Sequence, residues 1–222
     1  MLASLTALLP KPLKALAIRF DRSPIDTVEK LTEFVRTRAS YVAQTSLYGY
    51  LKTRMGTRFP EFFEDEVFSA SIRMAAAKLF VSCLGDLTVF AVAVAGRDGR
   101  LEASEAAALA QQCFEQAMEL TLVDQPPENV PDDALEAFRA RTDATIWANA
   151  AQGADAFAGS EQDILRFAPV VDEFKRLDRE IVSNSIRFRW RDVREQLRKR
   201  IDADRVCADW RRRAGEPAVP EP

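Results

Sequence analysis

Between Arg187 and Arg200 the chain reads RFRWRDVREQLRKR, with guanidinium groups recurring beside a tryptophan. Arg187, Arg191, Arg194 and Arg198 fall three or four residues apart, and so do Ile186, Trp190, Val193, Leu197 and Ile201. At about 100° per residue these sets become two adjacent stripes on one helix, one cationic and one apolar. Guanidinium groups recognise carboxylates and phosphates through paired N–H donors. The same wheel sends Trp190 toward the body and Phe188 to nearly the opposite side, where a ring can anchor a partner. Arg187, Phe188, Trp190, Arg191, Arg194 and Arg198 are therefore the predicted partner-binding residues. The plainer alternative is a solvated face, because Asp192, Glu195, Asp202, Asp204 and Asp209 partly neutralise the run and Glu195 and Lys199 form an i,i+4 pair.

A second constellation lies in YVAQTSLYGYLKTR. Tyr41, Gln44, Tyr48 and Lys52 share one helical direction and can line a groove. A tyrosine can donate a proton, a lysine can hold an anion, and an amide can orient either. They are the candidate ligand-binding residues, with Glu64, Asp65 or Glu66 as an opposing carboxylate if the helices bearing them form a hairpin. Packing plus a polar seam is the competing account. No residue is assigned a catalytic role.

Several chemistries drop out on composition. The sequence has no histidine, which removes Ser-His-Asp and Cys-His nucleophiles and every imidazole metal site. Cys83, Cys113 and Cys207 are odd in number and widely spaced, with no C-x-x-C. Neither a dinucleotide nor a phosphate-loop glycine motif occurs, and the Asp98 turn lacks the oxygen ligands of a calcium loop. No metal and no cofactor is expected.

The net charge of -3 is unevenly placed. Residues 187–213 hold eleven Lys or Arg against five Asp or Glu, on an otherwise acidic chain. A basic end on an acidic body suits a protein partner with an acidic surface, or a second copy, and disfavours extended nucleic-acid contact. The best-supported function is thus a noncatalytic protein–protein interaction module, such as an adaptor, assembly factor or complex subunit. The alternatives are a cofactor-independent helical enzyme or small-ligand binder, and a peripheral membrane protein. Cytoplasmic localisation, with or without contact to an anionic membrane surface, fits either.

The elements that must position these residues are helical. Only 8 of 222 residues are glycine, and the abundant Ala, Leu, Glu and Arg lose little freedom on a helix. An all-α body of about five major helices is predicted, extended by a long basic amphipathic C-terminal helix. Residues 1–23 form an apolar and basic arm, read as packed on the body, in contact with membrane, or a targeting segment. Residues 24–159 form the body. Ser23-Pro24 starts a helix over 24–55, a second runs from about 63, a third over 104–123 from Ser104, and a fourth over 131–150 after a proline-rich linker at 124–131. Leu109, Cys113, Ala117 and Leu120 should face inward in the third, and Leu135, Phe138 and Ile146 in the fourth.

The segment AAAKLFVSCLGDLTVFAVAVAG, 75–96, has the length of a membrane span, but Lys78 and Asp86 interrupt it. A mid-bilayer carboxylate costs about 2.5–3.5 kcal/mol on insertion scales, so a buried helix is the better reading, with no transmembrane segment. Residues 87–95 are rich in β-branched side chains, yet no second strand exists to pair with them, and helix is predicted there too. Residues 160–213 read as a long helical segment, opened by Ser160 with Asp163 and begun or kinked at Pro169, in which Val171, Phe174, Leu177, Ile181, Val182 and Ile186 continue the apolar stripe. Residues 214–222 form a disordered tail.

Overall fold

The computed structural model describes residues 23–59, 64–123, 129–152 and 154–215. Eight α-helices follow in order: α1 (Val28–Met55), α2 (Glu66–Ala95), α3 (Ala103–Leu122), α4 (Ala134–Asp143), α5 (Trp147–Ala150), α6 (Ala158–Phe167), α7 (Asp172–Arg200) and α8 (Ala203–Gly215). Among the described residues no strand forms, and the fold is an all-α bundle. Residues 1–22 of the predicted 1–23 arm, most of the linker (124–128) and residues 216–222 lie outside the described residues, whereas Ala214 and Gly215, expected in a disordered tail, are the last turn of α8.

The core is built around α2. Asp65 caps it by accepting from the Val67 and Phe68 N–H groups, and every residue from Cys83 to Ala95 is buried. This is the stretch with a β-branched composition, and it is helical throughout. Helices α1, α3 and α6 enclose it, so its backbone groups are satisfied internally while its side chains are buried on all sides. It is also the helix among the described residues that is long and apolar enough to cross a membrane, and most of its apolar window is buried within the fold. Gly85 lets α4 come close: a Cβ there would meet Phe138 and Arg141 at 3.4 Å.

The N-terminus of α1 differs from the sequence expectation. Thr27 caps it rather than Ser23, accepting from the Lys30 N–H at 3.2 Å. Ile25 is drawn instead into an isolated bridge with Ile201, donating to the Arg200 carbonyl at 2.8 Å and accepting from the Asp202 N–H at 2.9 Å. Residues 168–171, with Pro169, separate α6 from α7 as read, and the same contact breaks the long segment again between α7 and α8. The chain turns at Ile201–Asp202, and Asp202 caps α8 by accepting from the Arg205 N–H. From α8, Asp209 reaches back to accept the Val28 N–H at 2.9 Å, satisfying one of the free donors that start α1. Arg212 and Arg213 hold this carboxylate, and together with the Val28 N–H they keep its pKa low against the opposing effect of burial.

Other expected boundaries shift. Glu102 rather than Ser104 is the cap of α3, its own N–H bonded to Glu105. The predicted 131–150 helix is split into α4 and α5 by a turn at 144–146, which leaves Ile146 exposed, and Leu135 is exposed too. In α3, Leu109, Cys113 and Ala117 are buried as read, but Leu120 points to solvent past the edge of α2.

Candidate functional site

Helix α7 is a surface helix whose one face is fully engaged. Val182, Ile186, Trp190, Val193 and Leu197 are buried. Trp190, only 2% exposed, stacks on Phe157 with centroids 4.5 Å apart and donates its indole N–H to the Ser160 hydroxyl at 3.0 Å. The tryptophan is thus an internal anchor between α7 and α6.

The arginine stripe is also largely engaged within the chain. Arg187 forms a bidentate pair with Glu161 of α6, at 2.6 and 2.7 Å. Arg194 lies over the Phe90 and Phe157 rings and Arg198 over Phe90, so two guanidinium planes roof the aromatic seam. Burial and the neighbouring Arg198 charge lower the Arg194 pKa. Arg191 stacks on Phe188 at 4.4 Å, on the outward side.

The apolar stripe predicted to continue N-terminally divides in two. Val182 and Ile186 face the core, but Leu177 and Ile181 lie on the opposite side together with Phe188, exposed by 71, 73 and 56%. The wheel accounts for this: 177, 181 and 188 fall within about 40° of one another and roughly 180° from Ile186. Val171 and Phe174 are exposed beside them. Near this end α7 is tied to α1 by Asp178, which pairs with Arg54 and accepts from the Tyr50 hydroxyl at 2.9 Å. The outer face of α7 therefore carries three large exposed apolar side chains, Ile181 at the rim of a cleft against α1, edged by Arg187, Arg191 and Arg198.

The tyrosine constellation is only partly assembled. Gln44 and Tyr48 line a small cleft of about 140 Å³ with Arg73, Phe80 and Thr121, whereas Tyr41 and Lys52 do not line it and Lys52 is exposed. Burial raises the Tyr48 pKa, and the Arg73 charge opposes the shift. No acid from the start of α2 faces this cleft; Asp65 is occupied as the α2 cap.

A larger cleft, about 570 Å³, lies between α2, α4 and α6, and sequence reading missed it. Lys78, Ser82, Arg141, Asp163 and Arg166 line it, with Phe114, Phe138 and Phe167. Ser82 donates to Asp163. Behind Arg141 sits Asp86, fully buried, its Oδ1 2.8 Å from the guanidinium and its Oδ2 accepting the Ser160 N–H at 2.7 Å. Desolvation raises the Asp86 pKa against the pull of Arg141. Gly159 packs closely beside it: a Cβ there would approach Oδ1 to 3.0 Å. The signal was present in the sequence: Lys78, Ser82 and Asp86 recur at i, i+4 and i+8 in an otherwise apolar helix, which puts three polar groups on one stripe.

No protein-family model, curated protein or solved structure matches this chain. Its functional reading therefore rests on these surfaces alone.

Proposed function

We propose that this chain is a noncatalytic protein–protein interaction module, of the kind that serves as an adaptor, assembly factor or complex subunit, and that it docks through the outer face of α7. The observation that carries the reading is the stripe of Leu177, Ile181 and Phe188 on the side opposite the packed face. Fully burying such side chains contributes about 1.5–3 kcal/mol each, before the costs of association. Phe188, backed by the Arg191 guanidinium, is the natural central anchor. Arg191 and Arg198 along one edge orient an acidic surface by charge-assisted hydrogen bonds, while Arg187 is held by Glu161. Glu173, Glu180, Asp192 and Glu195 belong to the same helix and are exposed; such acids repel an anionic bilayer, which favours a protein over a lipid surface.

The test is a photo-crosslinking phenylalanine analogue at position 188 in cells that express the chain, with the same analogue at Glu136, exposed on α4, as control. A defined protein adduct from position 188 and none from 136 is the expected result. Equal labelling from both sites, or no adduct from 188, overturns the reading.

The Lys78 cleft favours a second reading, a binder of small molecules with an aromatic body and a carboxylate that pairs with Lys78. Asp132, Asp133 and Asp163 also line the cleft, but among the described residues no carboxylate pairs with Lys78, whose ammonium sits 5.5 Å from the centre of the Phe167 ring. Benzoate should raise the melting temperature of the native chain and not of Lys78→Ala, while benzyl alcohol should raise neither; equal shifts in both proteins refute it.

A further inference from the structure

We propose that the occupant of the outer α7 face is the same face of a second copy of this chain, lying antiparallel. The proposal rests on the reading of that face as a docking surface and names its partner.

Phe174, Leu177, Ile181, Asn184, Phe188 and Arg191 follow one another at spacings of three and four. That alternation keeps one seam facing a neighbouring helix, as the a and d positions of a heptad do. The seam covers 18 residues of a continuous helix, about 26 Å of its length. The packed face of α7 points the opposite way, so two copies can meet along this seam with their bodies on opposite sides.

Charge decides the direction. Residues 172–183 carry four Asp or Glu against three Lys or Arg, whereas 184–200 carry two against seven. Side by side in the same direction, two such helices place their cationic halves together and set Arg191 against Arg191. Antiparallel, the near-neutral half of each lies on the basic half of the other, and the two cationic halves are kept apart.

The register follows from the seam. Leu177 meets Phe188 of the second copy, Ile181 meets Asn184, and Phe174 meets Arg191, a ring already shown to accept a guanidinium from Arg54 at 4.8 Å. Every contact occurs twice, because the twofold axis passes between residues 182 and 183 and closes the assembly at two copies. Asn184 lies in the seam as a polar position that penalises other registers.

The three native cysteines are buried, so engineered thiols on α7 are the accessible ones. The full chain is measured by light scattering, and the double variant Leu177→Cys with Phe188→Cys is mildly oxidised and mapped by peptide mass. The native chain should show twice its 24.9 kDa mass. The double-cysteine variant should yield a covalent dimer joined between 177 of one copy and 188 of the other. Leu177→Glu with Ile181→Glu should halve the mass with unchanged helical circular dichroism. A dimer whose mass survives those two glutamates, or disulfides joining 177 to 177, overturns the proposal. So does a native chain that stays monomeric at about 100 μM, where any micromolar association is populated. A monomer whose position 188 still crosslinks to a different protein in cells overturns the second copy alone and leaves the docking face standing. A monomer with no such adduct removes both.

Discussion

Replacing Arg141 by methionine strands a carboxylate in the middle of the protein. Asp86 is fully buried, with Arg141 as its ion-pair partner and the Ser160 N–H as its hydrogen-bond donor. Removing one partner of a fully buried pair costs about 3–5 kcal/mol; the Arg141 side chain is 38% exposed, and solvent reaching it reduces the expected loss to about 2–3 kcal/mol. For a chain of this length that lowers the melting temperature by about 5–10 °C. Urea unfolding at about pH 8 should show a reduced midpoint with an unchanged slope. Burial already raises the Asp86 pKa above its ordinary 3.8, so the native state binds this proton more tightly than the unfolded chain does. The ionisation penalty is then absent below the unfolded pKa and grows as pH rises to the folded one. Without Arg141 the folded pKa moves higher, and the variant's deficit should shrink as pH falls from the folded value toward the unfolded one. Asp86→Asn should cost less than Arg141→Met, because the charge it strands is partly in water. The double variant should be more stable than the sum of the single losses predicts. A deficit independent of pH together with strict additivity refutes this account of the pair.

Three further outcomes are expected. Trp190→Phe removes the indole N–H bonded to Ser160 and part of the stack on Phe157, and should cost about 2–3 kcal/mol in denaturant unfolding; an unchanged midpoint contradicts its role as the α6–α7 anchor. Burial and Asp178 push the Tyr50 hydroxyl up to about 12, so ultraviolet titration of Asp178→Asn should move one tyrosine midpoint down toward 10. Arg54 holds the Asp178 pKa below 3.8, so its stabilising contribution, present above the unfolded value, is lost as pH falls through the folded one; the variant should lack that part of the acid transition. Burial raises all three thiols, Cys113 to about 11, so a disulfide reagent at about pH 8 should label none until the chain unfolds, and prompt labelling of any one contradicts their burial.

The helical architecture was legible because its causes are local. The scarcity of glycine and the lack of a second strand for residues 87–95 act within one segment or on composition, and each points to helix. The two-sided character of α7 was legible for the same reason: a fixed rotation per residue separates Trp190 from Phe188 whatever surrounds them. The outward turn of Leu177 and Ile181 follows from that rotation as well, yet spacing alone joined them to Val182 and Ile186, because intervals of three and four fit more than one face. Only the fold selects which apolar face is covered.

What tertiary structure decided is the destination of each polar group. The N–H of Val28 is capped by Asp209, 181 residues away, and the pairing of Ile25 with Ile201 ends α7 where periodicity alone would have carried the helix on. The Arg187 charge is spent on Glu161, and Arg194 and Arg198 roof the Phe90 ring. Asp86, an interruption when read along an apolar run, becomes the partner of Arg141 and Ser160. A sequence states which donors and acceptors exist and how they repeat along a helix. Their partners are set by burial, because a polar group removed from water is held by whatever complementary group the packed helices bring within reach.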